Sequence, residues 1–416
     1  MSNQLTKSLG FVIKTVILFC FVYDFIFYLL PTPLLSSRKI SFAIILIYFI
    51  AKRNSIKPFL RNKYNRYSLL LCFLCLFYVI LLNICIHGNG VSAIGTYVFF
   101  ILYSFFGVYL FGGFFNWNLD KLVKALAVVT LIQATWCILT FYIWDIRLLN
   151  DALFVIDKDE NVDFLSESRL RSIGAAGSSL SVCLALSSFS FLYFIVRGEK
   201  VLINTFFYLY CSFAILLSGT TGLLVCMASL LFTMVFSMTN GKRGFLFIAF
   251  LALFLFLFNQ VLGSILDADQ FRRLTEKTVG FFVDGTRNGT FESLRSQRVS
   301  GICEGTIIGT GLFRGSAAGV LCFHDSGYIR NYFALGLVMA VFFYLGLYII
   351  MIKQVKQLRE KRFVALLGTL LLMVMLIEYK EPYLFYYYPV FIFNLLFYAA
   401  NKAGDESDSA EYSLKP

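Results

Sequence analysis

The sequence predicts an all-α polytopic membrane protein with about twelve transmembrane helices, and three observations lead to this fold class. Hydrophobic residues make up 59% of the 416 residues and charged residues only 14%, whereas soluble domains carry about 25% charged residues. The mean hydropathy is +0.77. Apolar runs near the ~20 residues that cross about 30 Å of hydrocarbon recur along the chain. No run alternates in the ten-residue pattern of a membrane barrel, so the spans are predicted to be helices.

The predicted spans form a single membrane domain over residues 1–400. The first six lie near residues 11–30, 40–51, 67–86, 93–112, 125–144 and 173–196. The other six lie near residues 201–217, 221–239, 244–262, 328–352, 363–379 and 383–400. The second and eleventh spans are short, so the predicted count is about eleven to twelve. Residues 401–416 are polar and acidic and are predicted to form a disordered tail.

The orientation of the spans follows from the lysines and arginines in the connections, because these residues favour the cytoplasm. With the N-terminus inside, the inner segments hold 20 of the 36 basic residues, including the clusters at 52–66 and 353–362. Both termini, and with them the tail, are therefore predicted to be cytoplasmic. The same assignment places the two long loops, at about 145–172 and 263–327, on the outer side.

Arginine and lysine are distributed unequally between the two sides. The outer segments hold eleven Arg and four Lys, whereas the inner segments hold seven Arg and thirteen Lys. A topology signal needs only positive charge, but the planar guanidinium binds phosphate oxygens two at a time. The bias therefore indicates a phosphate-bearing ligand on the outer side. The alternative is that these arginines pair with acidic residues of the two loops or with anionic lipid headgroups.

The cysteines predict no metal or redox motif. Eight of the ten lie in predicted spans, where a thiol behaves as a small apolar group. Cys303 and Cys322 lie in the second long loop, so they either form a disulfide on the oxidising side or remain thiols.

Metal and nucleotide sites find little support elsewhere in the sequence. The only histidines are His87 and His324, which excludes a histidine-rich metal site. Asp-x-Asp pairs occur at 157–159 and 267–269, but this spacing arises readily in acidic loops, so no metal or other cofactor is predicted. Gly309-Thr310-Gly311 follows no strand of a βαβ unit and is interpreted as a turn.

Three ionisable residues lie within predicted spans. Lys14 is expected to extend to the inner interface, and Glu378 to the outer interface beside Lys380. Asp24 lies about midway along the first predicted span. It is expected to face the bundle interior, where it is either paired or protonated.

Two motifs follow the long loops. The run His324-Asp325-Ser326-Gly327-Tyr328-Ile329-Arg330, continued by Phe333-Ala334-Leu335-Gly336-Leu337, leads into the tenth span, and Arg169-Leu170-Arg171-Ser172-Ile173-Gly174 leads into the sixth. Both resemble segments of the Wzy-type O-antigen polymerases, and the layout of spans and loops is similar as well. Some members carry an arginine followed eleven residues later by a glycine in both loops. Arg298 and Gly309 have this spacing, but Arg169 and Arg171 have no glycine at that distance.

The resemblance implies a glycosyltransferase that polymerises O-antigen repeat units on the periplasmic face of the bacterial inner membrane. It would transfer the growing chain from undecaprenyl pyrophosphate to the non-reducing end of one lipid-linked repeat unit. The implied partners are this lipid-linked oligosaccharide, membrane lipid, a chain-length regulator and a flippase, with no nucleic acid. No cofactor is implied, because the donor is already activated.

This chemistry predicts residues that stabilise the leaving diphosphate. We expect arginines of the two loops to bind its oxygens, with Arg298 as the catalytic one. The further substrate-binding candidates are Arg169, Arg171, Arg287, Arg295, Arg314 and Arg330.

A base near the acceptor hydroxyl is also required. His324 and Asp325 are the candidates, since a histidine titrates near neutrality whereas the aspartate would need a raised pKa. The alternative for His324 is a place at a helix N-terminus with no catalytic role, and Asp325 or Ser326 would then cap the tenth span. Tyr328 either stacks on a sugar or belongs to the interfacial aromatic belt.

Other functions remain open at this stage. An O-antigen ligase would share the architecture and the donor but use lipid A core as acceptor. A lipid-linked oligosaccharide flippase predicts cations within the spans and short outer loops, which is the opposite of this distribution. An intramembrane acyltransferase would require a histidine inside an apolar helix, whereas His87 and His324 lie at the edges of spans.

Overall fold

A computed structural model describes residues 2–27, 35–85, 91–155, 172–173, 177–237, 299–317, 320–386 and 388–413. Within these ranges the protein is an all-helical bundle with two short antiparallel strand pairs. Seven of the described helices are long and apolar enough to cross a membrane. The predicted all-α, multi-pass membrane fold is therefore confirmed at this level. The predicted span at 244–262 lies outside the described residues.

The first half of the bundle comprises eight helices and one strand pair. The helices are α1 (Ser2–Val22), α2 (Ser37–Ala51), α3 (Lys57–Arg61), α4 (Lys63–Cys85), α5 (Val91–Ile101), α6 (Gly107–Phe114), α7 (Leu119–Tyr142) and α8 (Trp144–Leu153). One π-helical turn, Leu102–Phe106, joins α5 to α6. The strands β1 (Ile26–Phe27) and β2 (Phe154–Val155) pair antiparallel.

The second half contains eight described helices and a β-hairpin. The helices are α9 (Gly177–Arg197), α10 (Val201–Ser218), α11 (Thr220–Ser237), α12 (Glu304–Ile308), α13 (Gly327–Gln357), α14 (Lys361–Lys380), α15 (Tyr383–Tyr386) and α16 (Pro389–Ser413). The hairpin strands are β3 (Gly315–Ala317) and β4 (Val320–Cys322).

The first and the last predicted spans each differ from the structure at one end. The first was expected to reach residue 30, but α1 ends at Val22 and is followed by an irregular turn and β1. The last was expected to begin at residue 383, where the separate turn α15 precedes α16 at Pro389. Proline lacks the N–H that a helix interior needs and is favoured in the first turn, which explains why a new helix starts there. The last helix then continues through the polar segment to Ser413, so the predicted disordered tail is wrong over residues 401–413.

Helix α9 forms the centre of the bundle. In the apolar part of this helix, within Ser179–Arg197, 94% of the residues are buried inside the protein. Many of them are serines whose hydroxyls donate to carbonyls of their own helix, such as Ser187 to Cys183 at 2.9 Å. Small residues let neighbouring helices approach closely. At the contact with α11, a Cβ on Gly222 would lie 2.2 Å from the Ser181 carbonyl oxygen.

The two ends of the bundle differ in charge. At one end, Arg197 of α9 pairs with Asp120 of α7 at 2.6 Å, and Arg362 of α14 donates to the Val196 carbonyl. We call this the basic end, because the described helix ends and turns there carry Lys52, Arg53, Lys57, Arg61, Lys63, Arg66, Lys121, Lys124, Arg197, Lys200, Lys353, Lys356, Arg359, Lys361 and Arg362. The opposite end, where α1 ends and α13 begins, is called the site end.

Helix α13 is broken at Gly336, whose φ of 76° and ψ of 166° are not helical. The break releases carbonyl groups that would otherwise accept bonds within the helix. Thr310 and Gly311 donate their backbone N–H groups to the carbonyls of Phe333 and Ala334, each at 2.9 Å. The turn predicted at Gly309-Thr310-Gly311 is therefore present, and it packs against the broken helix.

Candidate functional site

The motif His324 to Arg330 forms the turn that leads into α13 at the site end. His324 is buried, and its Nδ1 accepts a bond of 3.0 Å from the Ser326 N–H. An accepting Nδ1 places the proton of the neutral ring on Nε2. The imidazole thus accepts a hydrogen bond from the backbone at the start of α13. This bond is consistent with the alternative in which His324 lies at the N-terminus of a helix without a catalytic role. Ser326 occupies the N-cap position of α13, but its side chain makes no capping hydrogen bond.

Arg330 is engaged by the protein on three sides. Its Nε donates to the His324 carbonyl at 2.9 Å, Nη1 to the Tyr386 hydroxyl at 3.1 Å and Nη2 to Asp325 Oδ1 at 3.1 Å. The side chain is only 10% exposed. These contacts match the alternative in which an arginine pairs within the protein. Arg330 therefore fixes the turn and positions Asp325.

Asp325 is the more accessible member of the candidate pair. Its side chain is 41% exposed, and Oδ1 accepts from Arg330. An exposed carboxylate held by a guanidinium can accept a hydrogen bond from a substrate hydroxyl and align it without moving its neighbours. Of the two predicted bases, the geometry favours Asp325 for contact with a substrate.

Tyr386 joins this turn to a second buried arginine that the sequence did not single out. Arg38 lies at the start of α2 and donates from Nη1 to the Tyr386 carbonyl at 3.1 Å. It also donates to the last carbonyls of α1, those of Phe21 at 2.7 Å and Val22 at 2.9 Å. Cations stabilise the C-terminal end of a helix. Arg38 and Arg330 thus contact the same tyrosine, one through its carbonyl and the other through its hydroxyl.

Asp24 pairs with Arg38. Its Oδ2 lies 3.3 Å from Arg38 Nη1, and its Oδ1 accepts from the Arg38 backbone N–H at 3.1 Å. Of the two outcomes expected for Asp24, paired or protonated, the structure shows the paired one. Its predicted place midway along a span is wrong, because α1 has already ended at Val22.

Glu378, like Asp24, lies at a position that the sequence analysis did not predict. It was expected at the outer interface beside Lys380, but it is fully buried between α13 and α14. Its Oε1 accepts from the Tyr344 hydroxyl at 2.7 Å and its Oε2 from the Leu384 N–H at 2.8 Å. Lys380 instead donates to the Thr221 hydroxyl at 2.6 Å.

The Glu378 carboxylate belongs to a chain of buried polar side chains that crosses three elements. Asn331 Nδ2 donates to the Tyr344 oxygen at 2.6 Å, and the Tyr97 hydroxyl donates to Asn331 Oδ1 at 2.6 Å. A Cβ on Gly327 would lie 2.1 Å from Glu378 Oε1, so only glycine lets α13 start this close to the carboxylate. The network fixes α5, α13 and α14 relative to one another below the turn.

Tyr328 lies inside this part of the bundle. Its hydroxyl donates to the Met375 carbonyl at 2.8 Å and accepts from the Tyr348 hydroxyl at 3.0 Å. The interpretations as an interfacial belt residue or a sugar platform both place the ring at a surface. In the structure the ring is partly buried and packs against Tyr344, with 4.6 Å between the ring centroids.

Arg314 is the exposed arginine of the described site. It lies just before β3, and among the described residues no carboxylate pairs with it. The remaining predicted arginines lie outside the described residues, namely Arg169, Arg171, Arg287, Arg295 and Arg298.

The two loop cysteines are not joined by a disulfide in the structure. Cys322 is buried in β4, where burial raises the pKa of its thiol and the nearby Arg330 and Arg314 oppose that rise only in part. Cys303 is exposed just before α12. Within the described ranges, no group of three or more His, Cys, Asp or Glu side chains is placed to hold a metal ion.

The site could be recognised only partly from sequence. The turn from His324 to Arg330 was found through its motif, but Arg38, Tyr386 and Glu378 carry no motif. The available signal was a charged residue at the edge of an apolar run, as for Glu378. A comparison of the chain with protein-family models, with curated proteins and with solved structures found no match.

Proposed function

We propose that this protein polymerises O-antigen or a related surface polysaccharide on the periplasmic face of the bacterial inner membrane. The observation that carries the proposal is the arrangement at the site end. Two buried arginines, Arg38 and Arg330, bond to the exposed Tyr386, and Arg330 holds Asp325. Arg314 is exposed on the same loop region. A carboxylate and a cation at the rim of a membrane bundle suit a substrate with a hydroxyl acceptor and a lipid-linked diphosphate donor.

The charge difference between the two ends supports the proposed orientation. Lysines and arginines concentrate on the cytoplasmic side of membrane proteins, and the basic end carries the clusters at 52–66 and 353–362. If that end is cytoplasmic, the site end faces the periplasm. About twelve spans with both termini cytoplasmic, as proposed from the whole sequence, agree with this orientation.

The proposed transfer assigns a task to each described residue. The acceptor hydroxyl oxygen of the lipid-linked repeat unit attacks the anomeric carbon of the growing chain. The bond from that carbon to the pyrophosphate oxygen breaks, and undecaprenyl pyrophosphate leaves with the electron pair. Asp325 takes the hydroxyl proton. Arg314 stabilises the leaving diphosphate together with the other proposed loop arginines. Arg330 and His324 position Asp325 and the turn that carries it.

The partners proposed are undecaprenyl-pyrophosphate-linked oligosaccharide, membrane lipid and, as functional neighbours, a chain-length regulator and a flippase. Arg298 remains the proposed catalytic arginine. Arg169, Arg171, Arg287 and Arg295 remain proposed substrate contacts.

The proposal is tested by deleting the chain from its bacterial host and analysing lipopolysaccharide on a gel. A polymerase deletion leaves core carrying one repeat unit. Bare core with accumulated lipid-linked polymer would instead identify a ligase, and complete loss of surface antigen would identify a flippase. Complementation with Asp325→Asn should fail to restore the ladder, whereas Arg61→Ala at the basic end should restore it fully.

A further inference from the structure

The segment from Gly301 to Gly311 packs against the sides of two membrane helices and not on top of them. We infer that it is a re-entrant segment, which enters the outer hydrocarbon layer and exposes Ile307 and Ile308 to the acyl chains of the bilayer. The sequence places residues 263–327 in an outer loop, so this contact with lipid was not expected. The inference stands independently of the proposed function.

The depth of the segment can be measured along α13. Asn331 is the last polar side chain before the long apolar run of this helix. Gly336 follows five residues later, which corresponds to about 7.5 Å along a helix axis. The backbone of Gly309 meets Gly336 at that level, since a Cβ on Gly309 would lie 2.4 Å from the Gly336 nitrogen.

The same depth is obtained independently on α4. Asn83 is the last polar residue at the site end of this helix, and Tyr78 lies five residues below it, about 7.5 Å along the axis. Asn83 Nδ2 donates to the Gly311 carbonyl at 3.4 Å, whereas the Tyr78 hydroxyl donates to the Ile308 carbonyl at 2.6 Å. The segment therefore descends by about one and a half turns of each helix.

Irregular backbone is tolerated at membrane depth only where its polar groups find partners in the protein. The break in α13 and the segment supply partners to each other. Thr310 and Gly311 donate to the carbonyls of Phe333 and Ala334, and the Thr310 hydroxyl also donates to the Phe333 carbonyl at 3.0 Å. The break at Gly336 thus creates acceptors where the segment needs them, which is the arrangement expected of a segment embedded in a membrane.

The exposed face of the segment is apolar. Ile307 is 44% exposed and Ile308 is 45% exposed. The helices on either side present large exposed apolar side chains near the same level, Phe77 and Leu81 on α4 and Val338 on α13. The exposed isoleucines thus continue a surface that two membrane-spanning helices already turn toward lipid. Because these exposed side chains are apolar and lie beside membrane-spanning helices, the occupant that fits them is the hydrocarbon of the bilayer.

Photolabelling of the unmodified chain tests the inference without any substitution. The protein is reconstituted with a phospholipid that carries a diazirine in its acyl chain, irradiated and mapped by mass spectrometry. Label is expected on Ile307 or Ile308 together with the internal reference at Phe77 and Leu81, and not near Arg61 at the basic end. Label at Phe77 and Leu81 but none at residues 307 and 308 would overturn the inference.

Spin labelling gives a second, site-specific measurement. Nitroxides are placed at Ile307→Cys and Ile308→Cys after the accessible thiols of Cys20, Cys85 and Cys303 have been replaced by serine. Val341→Cys serves as the lipid reference and Arg61→Cys as the water reference. The ratio of oxygen to nickel-chelate collision rates is expected to lie on the lipid side of the midpoint between the two references. A ratio on the water side at either position contradicts the re-entrant placement.

Discussion

Gly309 and Gly336 meet backbone to backbone, and neither position has room for a Cβ atom. A Cβ on Gly336 would lie 2.3 Å from the Ile307 carbonyl oxygen, and one on Gly309 would lie 2.4 Å from the Gly336 nitrogen. Both residues have positive φ values, 98° and 76°, which favour glycine. The two glycines belong to different motifs of the sequence, and their contact holds the segment before β3 against the break in α13.

This contact predicts that Gly309→Ala and Gly336→Ala are each strongly destabilising. Strain at a positive φ and overpacking each cost about 1–3 kcal/mol, so a loss of about 2–4 kcal/mol is expected for either variant. The measurement is the midpoint of thermal unfolding in detergent. Gly301→Ala is the matched control, because a Cβ there meets no atom within 4 Å. Equal midpoints for Gly336→Ala and Gly301→Ala would show that the contact does not hold the fold.

Arg330 is predicted to act through the structure of the turn. Arg330→Lys keeps the charge but cannot reach the His324 carbonyl, Asp325 and the Tyr386 hydroxyl together, because lysine lacks the planar fork. The ion pair itself contributes little, since Asp325 is more than a third exposed. Loss of the two other bonds should cost about 2–4 kcal/mol. Thermal unfolding of the lysine variant measures this, and a midpoint equal to that of the parent chain would refute the assignment.

Arg314 is predicted to show the opposite behaviour. Because Arg314 is exposed, Arg314→Ala should change the free energy of unfolding by no more than about 0.5 kcal/mol relative to the parent chain. If it binds the leaving diphosphate, the same variant should lower the rate of polymer formation by roughly 10² to 10³. Arg314→Lys should recover only part of that loss, because a point charge replaces a bidentate donor. An alanine variant that retains the parent rate would remove Arg314 from the site.

The Glu378 network is predicted to stabilise the bundle cooperatively. Tyr344→Phe removes the donor to Glu378 and the acceptor for Asn331, and leaving a buried partner unsatisfied costs about 1–3 kcal/mol. Glu378→Gln should cost a similar amount, because its amide N–H₂ would face the Tyr344 hydroxyl or the Leu384 N–H, both of which donate to the carboxylate. The double variant should lose less free energy of unfolding than the sum of the losses of the two single variants. Strictly additive losses in unfolding experiments would show that the two residues are uncoupled.

The helical membrane fold was predictable because length and composition of an apolar run are local properties of the sequence. The run from Lys63 to Cys85 and the run from Lys361 to Lys380 both form helices that are apolar and long enough to cross a membrane. The end of α1 was not predictable, since the apolar residues after Val22 continue into a turn that Arg38 and Asp24 stabilise. That turn depends on Arg38, which lies sixteen residues after Val22. The periodicity of apolar residues in the sequence does not predict such a contact.

The site was predictable only where a motif marked it. The motif identified the turn from His324 to Arg330 but not the partners of its side chains. Glu378 was expected at the interface because hydropathy does not give the rotation of a helix about its axis. Its burial depends on Gly327, which makes room for the carboxylate at the start of α13. Similarly, Gly309 was interpreted as a turn residue, and its contact with Gly336 required the three-dimensional structure.

The central claim is that this chain by itself joins lipid-linked repeat units into polymer. The most direct measurement supplies the purified protein, reconstituted in vesicles, with undecaprenyl-pyrophosphate-linked repeat units alone, without nucleotide sugars and with a metal chelator. We expect conversion to a ladder of lipid-linked polymer with release of undecaprenyl pyrophosphate, and loss of that ladder in Asp325→Asn but not in Arg61→Ala. Unchanged repeat units with the well-folded parent chain would contradict it.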